Sequence, residues 1–584
     1  MKKTNLNTVS LFLVLAIIFA GCRTQNAPLS NQTANTNATT VNNNWDKYVE
    51  GFLNDYFIAH PDMAVYQGKH EFDGKLPDWS EDGLKKEIAR LHSERDKASA
   101  FKDEQLDGNQ RFERDYIISQ IDKDLFWREV ADQPHRNAAF YADSIDPDVY
   151  VSRPFAPLET RIKSYTAYAK SVPKAVGQIK ANLKMPMAKT LIKNARQSIG
   201  GLADFYEKDV PKVFESVKDE QSQKDFKEAN DAATKAVKDF DKWLEEQEKS
   251  ATDDFALGAE TFGKMLKMTE GVEIDLAKLE EIGKQDLQRT TDALKAECEK
   301  YTPGKTLQEC MVKASASKAE GKDVVEAATK QLTDLRKFLT EKDIVSIPGT
   351  EELKVGLAPS YKASNFAYIN IPGPYEINLP SVYYVSPPDP KWSKEKQEAY
   401  IPGKGSLLFT SVHEGYPGHF LQFLHSNRNK SKFGQVFVGY AFAEGWAHYT
   451  EEMMYDAGLG ANDSELHIGQ LQEALLRNVR FLSAIGMHTK GMTVEESKKM
   501  FIEQGFQDEG NADQQAERGT YDPAYLNYTM GKLMIKKLRE DWTASRGGRN
   551  AWKLFHDKFL SHGGPPIPLV RKAMMGKDDK GSPF

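Results

Sequence analysis

This sequence has little cysteine and lacks surplus positive charge and long apolar stretches. Its 584 residues include only 3 cysteines, too few for a disulfide scaffold or a cysteine-rich zinc module. Lys and Arg number 78 against 85 Asp and Glu, a net charge of −7, which argues against nucleic acid as a partner because a nucleic-acid-binding domain needs a basic surplus. A mean hydropathy of −0.60 excludes a polytopic membrane protein. Hydrophobic residues still make up 40%, which allows a sizeable core and excludes wholesale disorder.

The N-terminus has the pattern of a targeting segment. Two lysines precede an apolar run over residues 11–20, which is too short to span a bilayer of about 30 Å as a helix. Small residues come directly before Cys22, so residues 1–22 are typical of a signal peptide and resemble a bacterial lipoprotein lipobox. The resemblance implies cleavage before Cys22 and acylation there; ordinary secretion and an uncleaved anchor are the alternatives. The residue after Cys22 is Arg23, not the Asp of an inner-membrane retention signal. We therefore expect the lipoprotein to be anchored in the outer membrane and to face the periplasm.

The rest of the chain divides by composition. Residues 23–44 are nearly all Asn, Thr, Gln and Ala, which predicts a disordered tether and a folded part that begins near Trp45. Over residues 45–343 apolar side chains recur at three- and four-residue intervals, which predicts an N-terminal helical part. Prolines among short aromatic and β-branched runs over residues 344–392 indicate a few strands, after which helical periodicity returns. We therefore predict a mainly α fold with a small β-sheet, with the chemistry concentrated in residues 344–584.

Two cysteines remain in the predicted folded part. Cys298 and Cys310 flank a Pro303-Gly304 turn, so in an oxidising compartment they could bridge two helices. Two free thiols are the alternative, since spacing alone does not establish the geometry of a disulfide.

A His-Glu pair followed by a second His is the main chemical signal. The segment from His413 reads H-E-G-Y-P-G-H, with the second histidine at His419. In the ordinary H-E-x-x-H motif the two imidazoles lie on one helix face and bind one zinc ion, and the Glu reaches the bound water. Here the second His comes at i+6, about 240° around a regular helix. Pro417 and Gly418 predict a kink or widened turn that brings His419 back to the metal, with Glu414 as general base.

A second motif, E-G-W-A-H-Y, begins at Glu444, 25 residues after His419. A Glu on a following helix is the usual third ligand of glutamate-type zincins. His448 and Glu451 lie at i+4 and i+7 on the same helix face. Either side chain could orient a metal ligand through a hydrogen bond, or could itself be an alternative metal ligand. The expected cofactor is one Zn²⁺ ion, although such a donor set also suits manganese or cobalt. The alternative is a buried polar helix pair whose His and Glu side chains satisfy one another.

Two further segments supply candidate substrate contacts. Arg477 and Arg480 share a helix face and could hold a substrate carboxylate, or they could be surface or ion-paired arginines. His488 could donate a hydrogen bond to a developing oxyanion, or could be a core histidine. Tyr525 and Tyr528 follow an Asp-Pro helix start, and one hydroxyl could stabilise a tetrahedral intermediate; for either one alone, packing is the simpler role.

Together these motifs resemble the bacterial family known as domain of unknown function 885. Its hallmarks are an H-E-x-x-P-G-H helix, an E-G-W-A-H-Y helix, an R-x-x-R segment that ends in G-x-H, and a P-x-Y-x-x-Y-x-x-G helix, and all four occur here in that order. The resemblance implies a gluzincin-like helical fold, similar to the carboxypeptidase Taq family and the angiotensin-converting-enzyme group. It also implies a zinc hydrolase in which His413, His419 and Glu444 are ligands and Glu414 is the base.

The resulting expectation is a membrane-anchored zinc-dependent hydrolase of peptide or related amide bonds, with a carboxypeptidase or dipeptidase as one form. Its partners would be a peptide or small amide substrate and the membrane, through a lipid anchor at Cys22. Two alternatives stay open: an amidase or deacylase that acts on cell-wall fragments or modified amino acids, and a non-catalytic lipoprotein that binds peptides.

Overall fold

The computed structural model of the chain describes residues 36–584 except 322, 360–361, 363–365, 377, 389, 577–578 and 580, with side chains from residue 44 onward. The predicted signal peptide, Cys22 and the first part of the predicted tether lie outside the described residues. None of the described helices is both long and apolar enough to cross a bilayer.

Helices account for most of the described residues, and a short sheet interrupts them. The α-helices before the sheet are α1 (Thr36–Ala59), α2 (Pro61–Tyr66), α3 (Glu81–Ala100), α4 (Gly108–Leu125), α5 (Gln133–Arg136), α6 (Asp148–Ser152), α7 (Leu158–Asn182), α8 (Lys189–Lys208), α9 (Val210–Phe214), α10 (Glu220–Gln247), α11 (Ala259–Glu270), α12 (Leu276–Tyr301), α13 (Leu307–Ala316) and α14 (Val324–Lys342). The strands are β1 (Leu353–Leu357), β2 (Ala367–Asn370) and β3 (Ser381–Val385). The α-helices after the sheet are α15 (Lys394–Tyr400), α16 (Lys404–Glu414), α17 (His419–Ser426), α18 (Lys432–Val436), α19 (Tyr440–Asp456), α20 (Ser464–Thr489), α21 (Val494–Glu503), α22 (Glu509–Tyr521), α23 (Asn527–Ala544), α24 (Trp552–Leu560) and α25 (Ile567–Met575).

The prediction of a mainly α fold with a small sheet between residues 344 and 392 is confirmed. The strand order is β1–β3–β2. β1 runs parallel to β3 and pairs Leu353 with Ser381, whereas β2 runs antiparallel and pairs Ala367 with Val385. β2 therefore forms one edge of the sheet, where it packs against α16.

Local sequence sets the start of several helices. Ser80, Asp107 and Asp323 accept hydrogen bonds from backbone N–H groups in the first turns of α3, α4 and α14. Thr306 and Glu309 form a capping box at the start of α13. These side chains satisfy N–H groups that have no partner within the helix, which is why polar residues precede these apolar stripes.

α1 begins at Thr36, inside the segment over residues 23–44 that the sequence predicts as a tether. Trp45, Val49 and Phe52 are buried at helical spacing and pack in a core with residues of α3 and α4. Once such a helix is nucleated, each further residue adds a hydrogen bond at little cost. The helix therefore extends toward the N-terminus beyond its apolar residues.

The hydrophobic core does not follow the division predicted at residue 344. The core nearest the candidate site combines Phe262, Leu279 and Leu335 with Phe409 and Trp446. α12 packs on α20, and α14 packs on α16, while a second core lies among α7, α8 and α10. The helices that position the site therefore come from both predicted parts, because burial joins apolar faces regardless of their separation along the chain.

Cys298 and Cys310 form a disulfide, with their Cα atoms 5.8 Å apart. The bridge joins the end of α12 to the start of α13, across the turn that contains Gly304. α13 also contributes Met311 and Ser315 to the wall of the cavity described below. The covalent link therefore holds one side of that cavity to the long helix α12.

Candidate metal centre

A cavity of about 960 Å³ lies between the sheet edge and the helices that follow it. Its walls come from β2, α13, α15, α16, α17, α19, α20, α22 and α23. The residues singled out from the sequence that line it are His413, Glu414, His419, Glu444, Arg477, Arg480 and Tyr528. The structure therefore brings together side chains that are more than a hundred residues apart in the chain.

The two histidines of the H-E-x-x-P-G-H segment lie on either side of a break between helices. α16 ends at Glu414 and α17 begins at His419. We predicted a kink or widened turn of one helix at Pro417-Gly418, and the structure instead has two separate helices. The physical reason is that Pro417 has no N–H to donate and its ring crowds the preceding turn, so the helical ladder stops before it.

A close backbone contact fixes this break. The N–H of Gly418 donates to the carbonyl of Val412, 3.0 Å away. A Cβ at Gly418 would lie only 1.8 Å from the carbonyl oxygen of His413, so no other residue fits there without moving the chain. The fold-back brings the His413 and His419 rings to a centroid distance of 4.8 Å, nearly perpendicular to each other.

Gly418→Ala is expected to lower the free energy of unfolding by about 1–3 kcal/mol, because the new methyl group overlaps a backbone carbonyl that cannot rotate away. Urea unfolding followed by circular dichroism measures the change. Gly263→Ala is the matched control, since nothing lies within 4 Å of a Cβ at that helical position. Equal stability of the Gly418→Ala and wild-type chains would contradict the close contact.

Three donor atoms converge beside the break. Oε2 of Glu444 lies 3.2 Å from Nε2 of His413 and 3.3 Å from Nε2 of His419. Donor atoms of the three residues all lie within 4.8 Å of one another, the one group of this kind in the part of the chain that the structure describes. Two imidazole nitrogens and a carboxylate oxygen in this arrangement are typical ligands of a divalent transition metal.

A glycine pair places the carboxylate. Gly445, next to Glu444 on α19, faces Gly531 on α23, and a Cβ at Gly445 would lie 2.5 Å from the Cα of Gly531. The two helix backbones therefore touch directly. Because Tyr528 lies one turn before Gly531, the same contact holds Glu444 and Tyr528 in one wall of the cavity.

A buried carboxylate, that of Glu451, orients the His413 ring through a hydrogen bond at Nδ1. Oε1 of Glu451 lies 2.7 Å from Nδ1 of His413, and Oε2 lies 3.1 Å from Nδ1 of His448. The guanidinium of Arg477 completes the group at 3.3 Å from Oε1. Burial opposes ionisation of Glu451, but the charge of Arg477 and the hydrogen bonds from His448 and His413 outweigh it and hold the pKa of Glu451 well below its usual value. An ionised Glu451 accepts the Nδ1 proton of His413, which leaves Nε2 directed at Glu444.

His448 contacts Glu451 and not the converging donor atoms, so the structure does not place it as an alternative ligand. Burial lowers the pKa of His448 to about 4, which keeps its ring neutral. Burial also disfavours the charged form of His413, but hydrogen bonds to Glu444 and Glu451 raise the pKa of His413 to about 9. A cation that binds at Nε2 therefore replaces a proton there.

Glu414 lies in the cavity wall, and one of its carboxyl oxygens makes no hydrogen bond to a described residue. Its carboxyl is buried, and Oε2 has no hydrogen-bond partner among the described residues. Burial raises the pKa of Glu414, and the neighbouring His419 and His413 offset part of that rise. A buried carboxyl with a raised pKa and a free acceptor oxygen can take a proton from a molecule in the cavity.

Tyr528 faces the same space. Its ring lies 6.1 Å from the His413 ring, and its hydroxyl accepts a hydrogen bond from Nη2 of Arg518 at 3.4 Å. Because that hydroxyl accepts from Arg518, its own proton is available to a partner in the cavity. Burial and the nearby Glu444 raise the pKa of Tyr528, so the phenol stays protonated at neutral pH.

The two predicted arginines have different surroundings. Arg477 is engaged by Glu451 and by Glu473, whose Oε2 lies 2.8 Å from Nη1. Of the roles left open for Arg477, the structure shows the ion-paired one, because two protein carboxylates contact its guanidinium. Arg480 lines the cavity, and its Nε donates to Oε1 of Gln515 at 2.8 Å.

His488 is a core histidine, not an oxyanion donor. Its Nε2 donates to the carbonyl of Gly519 at 2.7 Å, its Nδ1 accepts from the N–H of Leu257 at 3.2 Å, and its ring stacks on Phe262. Burial lowers the pKa of His488 to about 4. Both ring nitrogens are used to join segments on either side of α20, so neither is left for a substrate.

Tyr525 is also part of the core. It is fully buried against Gly519 and Met487 and does not line the cavity. The segment Pro523–Leu526 is a 3-10 turn rather than the start of the long helix, which rotates Tyr525 away from the face that Tyr528 occupies. Of the two tyrosines considered, the structure places only Tyr528 beside the histidines.

Two further cavity residues, Arg518 and Gln515, were not among those predicted from the sequence, and they line the cavity from α22. Arg518 donates to Asp522 and to the hydroxyl of Tyr440. Their spacing with Asn511, at i, i+4 and i+7, is a polar helical stripe that could have indicated a shared face. The stripe is a weak signal because α22 carries few apolar residues to define its opposite face.

Comparison with known proteins identifies the family and the fold of this chain. A family model described as "Bacterial protein of unknown function (DUF885)" matches residues 61–574. The chain belongs to the DUF885 family. The membership expected from the four motifs is thereby confirmed, and the DUF885 match spans the helices on both sides of the sheet.

Two solved structures share the fold of this DUF885 chain. One, described as a candidate lipoprotein of unknown function from Shewanella oneidensis, has a TM-score of 0.75 and 24% identity over 91% of this chain and 99% of that chain. The other, described as a candidate lipoprotein from Colwellia psychrerythraea, has a TM-score of 0.77 and 18% identity over 92% of this chain and 98% of that chain. No curated protein matches the chain.

Proposed function

We propose that this protein is a zinc-dependent hydrolase that cleaves peptide or related amide bonds, with a gluzincin-like site. The observation that carries the proposal is the convergence of His413, His419 and Glu444 beside Glu414, whose Oε2 has no partner in the described structure. A metal ligand set with an adjacent free carboxylate is the arrangement that metal-assisted hydrolysis needs.

The spacing of the donor atoms suits zinc. Zinc bonds of about 2.0–2.1 Å in a tetrahedral arrangement put two ligand atoms about 3.3 Å apart. Oε2 of Glu444 stands 3.2 Å and 3.3 Å from the two imidazole nitrogens of His413 and His419. Glu451 behind His413 supplies the supporting carboxylate that zinc-ligating histidines usually have. The residues present therefore fit one zinc ion.

A bound zinc ion would supply Lewis-acid chemistry by lowering the pKa of a water to about 7 and polarising the scissile carbonyl. Glu414 takes the proton of the attacking water and passes it to the leaving amine. Tyr528 donates its phenolic proton in a hydrogen bond to the oxygen that becomes negative in the tetrahedral intermediate. Glu451 and Arg477 hold His413 in place throughout.

A substrate panel tests the hydrolase. The chain from Arg23 onward is supplied with zinc and incubated with dipeptides, blocked peptides, N-acyl amino acids and muropeptides, and products are read by mass spectrometry. Cleavage of peptides supports the proposal, whereas cleavage of only acyl or cell-wall amides would make the protein a deacylase or amidase. Peptide binding with no cleavage of any compound would favour the non-catalytic alternative.

We also propose that the mature chain is a lipoprotein of the outer membrane that faces the periplasm. Support comes from the lipobox at Cys22 and from the description of both structural relatives as candidate lipoproteins. The lipid would be attached at Cys22, which precedes α1 in the chain.

Cys22→Ser is expected to abolish incorporation of labelled palmitate and to move the protein out of the membrane fraction. Cys22 supplies the acylated thiol, so no lipid can be attached without it. Metabolic labelling and fractionation measure both effects, and Thr24→Ser, which keeps Cys22 and the Cys298–Cys310 disulfide, is the matched control. Labelling of the Cys22→Ser chain would overturn the lipoprotein assignment.

A further inference from the structure

Arg480 is a buried cation with no acidic partner in the described part of the chain. Its side chain is 6% exposed, and its Nε donates to Oε1 of Gln515 at 2.8 Å. The guanidinium carbon lies 4.8 Å from the centre of the Tyr528 ring. No Asp or Glu among the described residues lies within ion-pair distance of Arg480.

The neighbouring arginines show the contrast. Arg477 is paired with Glu451 and Glu473, and Arg518 with Asp522. Burial lowers the pKa of Arg480, and the charge of Arg518 lowers it further. A buried charge without a counter-charge is costly, so a site of this kind is stabilised when an anion binds it.

Arg480 also lies close to the candidate metal centre. The Tyr528 ring stands 4.8 Å from the Arg480 guanidinium and 6.1 Å from the His413 ring, and all three residues line the same cavity. One extended residue of a peptide spans about 3.3–3.6 Å. An anion on Arg480 therefore lies within a few extended residues of a carbonyl at the candidate metal ligands.

We infer that Arg480 binds the free carboxylate at the end of a peptide, which makes the protein a C-terminal exopeptidase that releases a few residues at a time. The planar guanidinium matches a carboxylate with two parallel hydrogen bonds, and Gln515 and the Tyr528 ring hold its plane in place. The inference rests on the proposed hydrolase function. In the reaction one water is consumed: the carbonyl carbon gains its oxygen, the bond to the amide nitrogen breaks, and the nitrogen leaves with the proton that Glu414 carries.

Binding of matched probes tests the inference without turnover. N-acetyl-Ala-Ala-Phe and its C-terminal amide, and the same pair ending in Ala, are titrated by calorimetry into the zinc-loaded Glu414→Gln chain. Each acid is expected to bind about 100-fold more tightly than its amide, because the amide removes only the negative charge. Arg480→Gln should reduce this ratio to less than about 3-fold. Lys318→Gln, which removes another cation from the same cavity, should leave the ratio unchanged.

The acid-to-amide ratio is measured within each variant, so partial unfolding of Arg480→Gln does not imitate the effect. Equal binding of acid and amide, a ratio that survives Arg480→Gln, or no binding of any acid would each overturn the carboxylate site. Measuring peptide cleavage distinguishes a failure of this inference from a failure of the proposed function. Cleavage of acid and amide alike leaves a hydrolase without the carboxylate site, whereas acid binding through Arg480 with no cleavage of any peptide leaves the carboxylate site without the hydrolase.

Discussion

The Glu414→Gln protein is expected to bind zinc normally and to lose turnover by about 10²–10⁴-fold. Glutamine keeps the shape of the side chain but cannot accept a proton from water. In the structure the Glu414 carboxyl is buried in the cavity wall, and its Oε2 makes no hydrogen bond to any described residue. In the proposed site the ligands are His413, His419 and Glu444, so the change isolates proton transfer from metal binding.

The measurement compares kcat and zinc content for the two proteins on whichever peptide the panel identifies. The matched control is Glu398→Gln, which removes one negative charge from an exposed position in the wall of the same cavity. That variant should retain kcat within about 3-fold, because it has no proton to transfer. Turnover by Glu414→Gln close to that of the wild type would remove Glu414 from the chemistry.

Substituting both histidines, His413→Ala with His419→Ala, is expected to reduce bound zinc from about one ion per chain to almost none. Two of the three converging ligands are lost, and a single carboxylate on Glu444 cannot hold the ion. Elemental analysis of purified protein measures the content. A chelator should lower the Tm of the wild type, since binding at a hundred times Kd stabilises a fold by about 2.7 kcal/mol, and should leave the double variant unaffected.

His92→Ala is the control for this experiment, because His92 is an exposed histidine that pairs with Glu129 far from the cavity. Its zinc content should equal that of the wild type. Unchanged zinc in the double variant would place the metal elsewhere in the chain. Absence of zinc from the wild type, even when zinc is supplied at neutral pH, would show that His413 and His419 do not form a metal site.

The part of the site that could be predicted depends on local geometry. Glu444, His448 and Glu451 follow helical periodicity, so their common face on α19 can be deduced from their spacing in the sequence. The mainly α fold and the position of the sheet follow equally from periodicity and from the proline-rich segment. These features depend on residues that are near each other in the chain.

The features that could not be predicted depend on distant contacts. On a straight helix, periodicity places His419 on a different face from His413. Periodicity also cannot distinguish a kinked helix from the complete break between α16 and α17. The sequence could not decide between the core role and the oxyanion role of His488, because Gly519 and Leu257 take up its ring nitrogens and neither is close to it in sequence. Which side chain on a helix faces a cavity depends on the neighbours that cover its other faces.

The direct contact of Gly445 with Gly531 has a consequence for how such a protein can change over time. Because main chains meet there, the separation of Glu444 from Tyr528 does not depend on the size of any side chain between them. The residues of α13 and α15, on another wall of the cavity, have no part in that contact. Substitutions on those two helices can therefore alter which molecules enter the cavity while Glu444 and Tyr528 keep their spacing. Under the proposed function, new substrates would be acquired without rebuilding the chemistry.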